Sequence, residues 1–199
     1  MAIIKTNARS ASALDATILT GNLPSISGAS LTGVSAGKIL QVVRAEYTGT
    51  ASQAHSSAGD GNPHKLTDLT VSITPSSTSN KILLQGRLCG AWGGNQNEHI
   101  LFYYRDSTII NIHTGGSNRL QGTSSAAHGS SNFDDYGPNW CALNTIDTPN
   151  TTSAISYYFG IKTEGTGTFR WNRGHNDTDA AYSERAISEI IAMEIEGWL

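Results

Sequence analysis

The alternation of apolar and polar residues is clearest between residues 66 and 88, where two apolar runs flank a short polar turn. In the first run, apolar residues at 69, 71 and 73 alternate with polar ones. This period of two is typical of a strand with one solvent-exposed face. Pro75 cannot donate to a neighbouring strand and residues 76–80 favour a turn, so the strand is predicted to end there. The second run, Ile82 to Leu88, is apolar at nearly every position, which predicts a strand covered on both faces or buried in an oligomer. The unit is predicted to be a hairpin, or two strands that pass between sheets.

Most of the chain after residue 37 follows the same pattern. The segment from Thr48 to Lys65 is small and polar and is predicted to be a loop. The polar stretch from His113 to Pro138 is unusually long for a loop without a function. Further strands are predicted at 38–47, 99–104, 108–112, 139–146, 155–161 and 166–171.

The last segment, Arg185 to Glu196, fits two periodicities. Residues 187, 191, 193 and 195 are spaced for one face of a strand, whereas 187, 190, 191 and 194 would suit a helix. The enrichment in β-branched residues favours the strand. At least eight short strands without a convincing long helix predict an all-β fold, an antiparallel β-sandwich of jelly-roll type.

Residues 1–36 differ from the globular part, which is predicted to span 37–199. No aromatic residue precedes Tyr47, so this segment has too little apolar bulk for a large core of its own. Evenly spaced apolar residues among small ones predict an extended arm that is ordered on a partner, with a disordered leader as the alternative. The expected partner-binding anchors of the arm are Ile3, Ile4, Leu14, Leu19, Leu23, Ile26 and Leu31.

Charge and composition argue against several classes of partner. The net charge is −3 and no basic patch is present, which speaks against nucleic acid. No stretch reaches the roughly 20 apolar residues of a membrane span, and no signal region is recognisable. Cys89 and Cys141 are expected to be buried free thiols made in a reducing cytoplasm, although a bridge between neighbouring strands is the alternative.

Patterns of catalysis and metal binding are missing from the sequence. It has no nucleophile elbow, phosphate loop or dinucleotide motif, and its six histidines lack metal-ligand spacing. Asp134 and Asp135 resemble a glycosidase carboxylate pair, but adjacent loop acids are usually solvated. The segment 176–179 carries alternating acids that suit calcium but lacks the central glycine of a calcium loop. We therefore expect no enzyme, no cofactor and no metal.

Three aromatic residues beside Gly, Asn and Asp are candidates for glycan contact, because aromatic faces stack on sugars while amides bond their hydroxyls. The alternative is that these rings pin loops or fill a subunit interface. The candidates are Trp92, Tyr136 and Trp140.

The stretch 69–83, L-x-V-x-I-T-P-S-S-x-S-N-K-I-L, resembles a module of bacteriophage virion proteins. Such modules occur in the distal knobs of tail fibres and tailspikes and in trimeric capsid decoration (cement) proteins, notably of cyanobacterial phages. Segments 104–108, 148–153, 172–179 and 193–195 agree with it, although Thr148 replaces the usual Ser. Residues 20–33 are also similar to linkers that precede such knobs.

The resemblance implies a structural virion protein, made in the host cytoplasm and placed on the capsid surface as a homotrimer. Its arm would bind the major capsid protein, and the knob would aid attachment, including contact with a host surface glycan. The resemblance further implies that 176–179 is a structural turn, with Asp177 or Asp179 paired to Arg173 or Arg185. A small tail fibre or receptor-binding protein is the alternative, but only about 36 residues precede the knob, too few for a shaft. A soluble sugar-binding module outside any phage is a third hypothesis.

Overall fold

The computed structural model describes residues 38–55, 63–93, 99–115, 119–125, 137–163 and 167–197, and the structural statements below concern these residues. Within them the chain forms eleven β-strands and no helix. The strands are β1 (Ile39–Tyr47), β2 (Ser52–His55), β3 (His64–Ile73), β4 (Lys81–Gly93), β5 (His99–Arg105), β6 (Thr108–Ile110), β7 (Ser124–Ser125), β8 (Asn139–Asp147), β9 (Ile155–Thr163), β10 (Gly167–Trp171) and β11 (Ser188–Ile195).

The strands form two antiparallel sheets that pack face to face. The first sheet has the order β1-β11-β4-β10-β2, with β8 on the other side of β4. The second sheet has the order β3-β9-β5-β6, with β7 added to β5. The short strands β2, β7 and β10 can be left aside and the eight remaining strands renumbered 1 to 8 in chain order. Their order is then 1-8-3-6 in the first sheet and 2-7-4-5 in the second. This is the double Greek key of a jelly roll, so the predicted β-sandwich is confirmed.

The two strands on either side of residue 75 belong to different sheets and do not form a hairpin. Leu69, Val71 and Ile73 of β3 are buried, as their alternation predicted. β3 pairs with β9 in the second sheet, whereas β4 lies at the centre of the first. The turn after Pro75 therefore carries the chain across the sandwich, which was the second of the two predicted arrangements.

The core lies between the inner faces of the sheets. Ile82, Leu84 and Leu88 of β4 point into it from one side. Tyr103 and Phe159 face them, with their rings stacked and 5.3 Å apart. The Tyr103 hydroxyl donates a hydrogen bond of 2.9 Å to a carbonyl of β8 and so ties one sheet to the other. Burial raises the pKa of this phenol, which keeps it a neutral donor.

Two segments predicted to be loops contain short strands. β2 lies within the predicted loop 48–65 and pairs with β10. The next strand, β3, begins at His64, still inside that predicted loop. β7 is a two-residue strand that pairs with β5. Neither has alternating apolar residues, because both lie at sheet edges where pairing comes from the backbone of the neighbouring strand. The loop prediction for 48–65 was therefore wrong at residues 52–55 and 64–65.

The strand predicted near the C-terminus is confirmed as β11, but its buried face is the opposite one. Ser188, Ile190, Ala192 and Glu194 point into the sandwich and are fully buried. Of the apolar residues expected to form the core face, Ile191, Met193 and Ile195 lie half-buried on the outside of the first sheet, and Ile187, directly before β11, is exposed. The periodicity predicted the wrong face because two of the inward residues, Ser188 and Glu194, are polar. Both form hydrogen bonds inside the sandwich, which makes their burial favourable.

Candidate functional site

The outer face of the first sheet carries a continuous apolar row across four strands. Ile146 of β8 pairs with Leu83 of β4, Leu83 pairs with Met193 of β11, and Met193 pairs with Val42 of β1. Directly paired residues point to the same face of a sheet, so these four side chains lie side by side. Ile146 and Val42 expose 48% and 58% of their surface. We call this set the apolar row.

The exposed apolar surface is concentrated on this side of the molecule. Of the seven large hydrophobic side chains that the described residues expose, six lie in β1, in β8 or directly before β11, so they are not scattered as on an ordinary surface. The seventh is Tyr182. The six are Ile39, Leu40, Val42, Trp140, Ile146 and Ile187.

The second sheet presents a different outer face. The outward aromatic rings of Phe102 and Tyr104 are buried there. The Lys65 ammonium lies 5.2 Å from the Tyr104 ring centre, and Ser72 and Ser156 join their hydroxyls at 2.8 Å. Within the described chain, the outer face of the second sheet thus exposes polar groups, whereas the outer face of the first sheet exposes aliphatic side chains.

A row of charges crosses the outer face of the first sheet next to the apolar row. Arg44 lies 2.7 Å from Glu46 and 2.8 Å from Glu189, and Glu189 lies 3.5 Å from Arg87. The hydrogen bond to Glu189 and the nearby Glu46 raise the pKa of Arg44, so its guanidinium stays charged. Two cations and two anions neutralise one another, and exposed pairs of this kind add little to stability. We call these four residues the charged row.

A cleft of about 540 Å³ lies beyond the charged row. Trp140, which exposes 66% of its surface, lies at this cleft together with Ile187, Pro138 and Cys89. Arg87 and Arg185 also line it. An exposed indole among apolar and cationic groups can receive a side chain or a sugar ring from a partner.

Of the three candidate glycan contacts, Trp140 is the one whose side chain is described. Trp92 lies in β4, where its backbone pairs with Phe169, and its side chain is outside the described part of the chain. Tyr136 and all seven arm anchors, at 3, 4, 14, 19, 23, 26 and 31, also lie outside it. The glycan and arm assignments therefore stay predictions.

The two cysteines are free thiols that point to opposite faces of the first sheet. Cys89 is buried and lines the outer cleft, and Cys141 is half-buried. Cys141 pairs with the inward Leu88, whereas Cys89 pairs with the outward Trp140, so the two thiols are turned away from each other. Burial raises the pKa of both. The expected free thiols are confirmed, although only Cys89 is fully buried.

The acidic turn at 176–179 is held by ion pairs. Asp177 pairs with Arg185 and lies 3.7 Å from Arg173, as the resemblance implied for one of its two acids. Among the described residues, no three His, Cys, Asp or Glu side chains are grouped so that they could hold a metal ion. In the same part of the chain, no helix is long and apolar enough to cross a membrane.

Two of the sequence motifs that carry the resemblance, 69–83 and 193–195, meet in one buried cluster. Glu194 of the 193–195 motif accepts hydrogen bonds from the Ser76 backbone at 2.6 Å, the Ser76 hydroxyl at 2.7 Å and the Asn80 amide at 2.6 Å. Gln41 donates a fourth at 3.1 Å. Burial alone would raise the pKa of Glu194, but these bonds outweigh it and lower the pKa. The cluster fixes the crossing turn to β11 and β1. Sequence analysis placed Glu194 on a strand but missed that it is the acceptor for this turn.

A second cluster joins the sheets at the end of β8. Asp147 is buried and accepts hydrogen bonds from Arg105, at 3.0 Å to each oxygen, and from the Tyr157 hydroxyl at 2.7 Å. Arg105 and Tyr157 belong to the second sheet, so one carboxylate ties both sheets. Burial, followed by the hydrogen bond to Asp147, raises the pKa of Tyr157, which keeps this phenol a neutral donor.

Removing the Asp147 carboxylate should destabilise the sandwich strongly. We expect Asp147→Ala to lower the free energy of unfolding by about 3 kcal/mol, since Tyr157 and Arg105 would lose their acceptor. Asp68→Ala, at an exposed carboxylate of β3, is the control and should change stability by less than about 1 kcal/mol. Urea unfolding followed by tryptophan fluorescence measures both. Equal losses in the two variants would contradict this role for Asp147.

Comparison with known proteins adds a likeness of fold. No protein-family model matches the sequence, and no curated protein matches it significantly. A solved structure of infectious bursal disease virus, Gt strain, matches 87% of this chain and 44% of its own at 10% identity, with a TM-score of 0.44. The VP2 subviral particle of the same virus matches 78% of this chain and 38% of its own at 10% identity, with a TM-score of 0.39. The chain thus spans less than half the length of these proteins, and their functions are not carried over to it.

Proposed function

We propose that this chain is a structural virion protein, a capsid decoration protein that forms a homotrimer and binds the outer capsid surface. The observation that carries the proposal is the exposed outer face of the first sheet, which suits lasting contact with protein surfaces rather than chemistry. The resemblance of residues 69–83 to phage virion modules supports it, and the Glu194 cluster gives that motif a structural role. Jelly rolls also serve as lectins and other proteins, so the fold alone is not the argument.

In this proposal the N-terminal arm and the knob have different roles. Residues 1–36 bind the major capsid protein, and the knob stays outside, where it can aid attachment to the host surface. Each anchor buried on the capsid would contribute on the order of 25 cal/mol per Å² of apolar surface. Three arms on one trimer multiply this effect, because the second and third bind at a high effective concentration.

Deleting residues 1–36 tests the arm. We expect the truncated protein to remain folded and oligomeric but to lose binding to capsids, because the anchors are removed while the sandwich is left intact. Co-sedimentation with undecorated capsids measures binding, and circular dichroism checks the fold. Replacing the seven anchors by Ser in the full chain is the matched control for chain length and should give the same loss. Normal decoration by the truncated protein would refute the arm assignment.

The cleft beside Trp140 favours one second candidate, a small tail fibre or receptor-binding protein with the same knob. Its exposed indole and two arginines suit weak contact with a host surface glycan. Copy number separates the two functions: hundreds of copies per virion indicate decoration, and a few dozen or fewer indicate a fibre. Quantitative mass spectrometry of purified particles provides this count.

A further inference from the structure

We infer that the outer face of the first sheet is the surface on which a second copy of this chain packs. The inference deepens the proposed homotrimer by naming its interface, and it rests on that function only for the number of copies. Sequence analysis left open whether β4 is covered on its second side or buried in an oligomer. In the described chain Gln85 and Arg87 of β4 are exposed on that side and Leu83 is half-buried, so the described chain leaves this stretch of β4 largely uncovered.

The size of the face fits a stable interface. Four strands, β8, β4, β11 and β1, lie side by side, and the outer two are nine residues long. At about 4.8 Å between strands and about 3.3 Å per residue, the face measures roughly 19 by 30 Å, on the order of 600 Å² before side-chain relief is counted. Stable partners bury about 800 Å² each, so this single face supplies most of what one subunit needs.

The charges on the face fit a like partner rather than an oppositely charged one. The charged row pairs internally, with two arginines against two glutamates, so it presents no net charge to an approaching surface. Two copies of one chain have the same charge pattern, and a face without net charge lets them meet without net repulsion. Apolar side chains beside a tryptophan and arginines are also the residue types enriched in interface cores.

The two ends of the face differ in shape, which suits a ring. The apolar row lies at residue 83 of β4 and the cleft at residue 89, on either side of the charged row. A contact that sets the row of one copy against the cleft of the next is head-to-tail, and such contacts form a ring such as a trimer when the rotation between copies closes. Trp140, at the cleft, would then be covered by aliphatic side chains of the neighbouring copy.

The test places charge at the apolar row of the full chain. We expect the wild type to sediment as an oligomer and Val42→Lys/Ile146→Lys to raise its dissociation constant at least about 100-fold, because both new ammonium groups would be buried next to the arginines of the neighbouring cleft. Tyr182→Lys is the matched control, since Tyr182 is the exposed large hydrophobic residue that lies outside the four strands of the face and the segment directly before β11, and it should leave the oligomer unchanged. Thermal unfolding of each variant checks that the sandwich remains folded.

A second measurement reports on Trp140. In the oligomer its indole should be shielded from acrylamide and become accessible on dilution, and Trp140→Phe should remove that change. A wild type that sediments as a monomer at micromolar concentration would overturn the inference, and so would a double variant that remains oligomeric. A double variant that stays oligomeric but no longer binds capsids would assign the face to the capsid instead and leave the proposed function standing. Dissociation of the double variant supports the interface whether or not capsids are bound.

Discussion

Glu194→Ala is expected to lose about 4 kcal/mol of the free energy of unfolding, a large part of the stability of a domain this size. The buried carboxylate accepts four hydrogen bonds from three residues, Ser76, Asn80 and Gln41. Alanine would remove the acceptor that all four donors share. The Ser76 backbone N–H would lose its acceptor, and the Asn80 and Gln41 amides would keep only their bonds to the Ser76 hydroxyl and the Thr74 carbonyl. The turn between the sheets would also lose its attachment to β11.

Urea unfolding of Glu194→Ala beside Glu46→Ala measures this effect. Glu46 is an exposed glutamate of the charged row, so its removal should cost less than about 1 kcal/mol. The ratio of the two losses is the informative quantity, because both variants delete the same side chain. If Glu194→Ala unfolds at the urea concentration of the Glu46 control, the cluster does not stabilise the crossing turn.

The same carboxylate predicts how stability depends on pH. The pKa of Glu194 is lower in the folded chain than its usual value of about 4.3, so folding favours the ionised form. Its contribution is therefore complete above about pH 4.3 and is lost as the pH falls through the lowered folded-state pKa. Unfolding measured between pH 7 and pH 3 should show this loss in the wild type and a flatter acid limb in Glu194→Gln. Parallel curves would contradict the linkage.

Gly86→Ala is expected to be the second severe change, costing about 3 kcal/mol, at the upper end for an overpacked core. A Cβ built at Gly86 would lie 2.3 Å from the Tyr103 hydroxyl oxygen and 2.6 Å from the nearest ring carbon of Phe159. Both rings are fully buried, so they cannot move aside without opening the contact between the sheets. Thermal unfolding by calorimetry measures the loss.

The neighbouring position provides the control for Gly86→Ala. Gln85 is exposed on the outer face of the same strand, so Gln85→Ala should change stability by less than about 0.5 kcal/mol. Combining Gly86→Ala with Tyr103→Phe should recover part of the loss, because the closest atom is the hydroxyl that this change deletes. A double variant whose loss equals the sum of the single losses would show that the clash is elsewhere.

Much of the fold follows from the sequence because the period of two is a local signal. The alternating residues of β3 and β9 predicted strands with one buried face, and Pro75 marked the end of the first. The same logic failed for β2, whose polar residues form a strand only because β10 lies beside them. It also failed to predict which face of β11 is buried, because Ser188 and Glu194 are polar residues, typical of an exposed face, and yet are buried.

The candidate site was partly visible in advance. The apolar run from Ile82 to Leu88 suggested that both sides of β4 need cover, which led toward an oligomer. Trp140 was singled out, but the sequence could not show that it lies at a cleft bounded by Arg87 and Ile187. The apolar row joins residues up to 151 positions apart, Val42 and Met193, and no local pattern contains that pairing.

By itself, the amino-acid sequence determined the all-β class, the strand end and turn at Pro75 and most strand positions, because backbone propensity and side-chain alternation act over a few residues. The tertiary structure alone decided which face of each strand is inside and which side chains meet across strands. Those outcomes depend on register between distant segments and on hydrogen bonds that make a buried glutamate favourable. A one-residue shift in register would turn every side chain of a strand to the other face, so the apolar outer surface exists only once all four strands are in place.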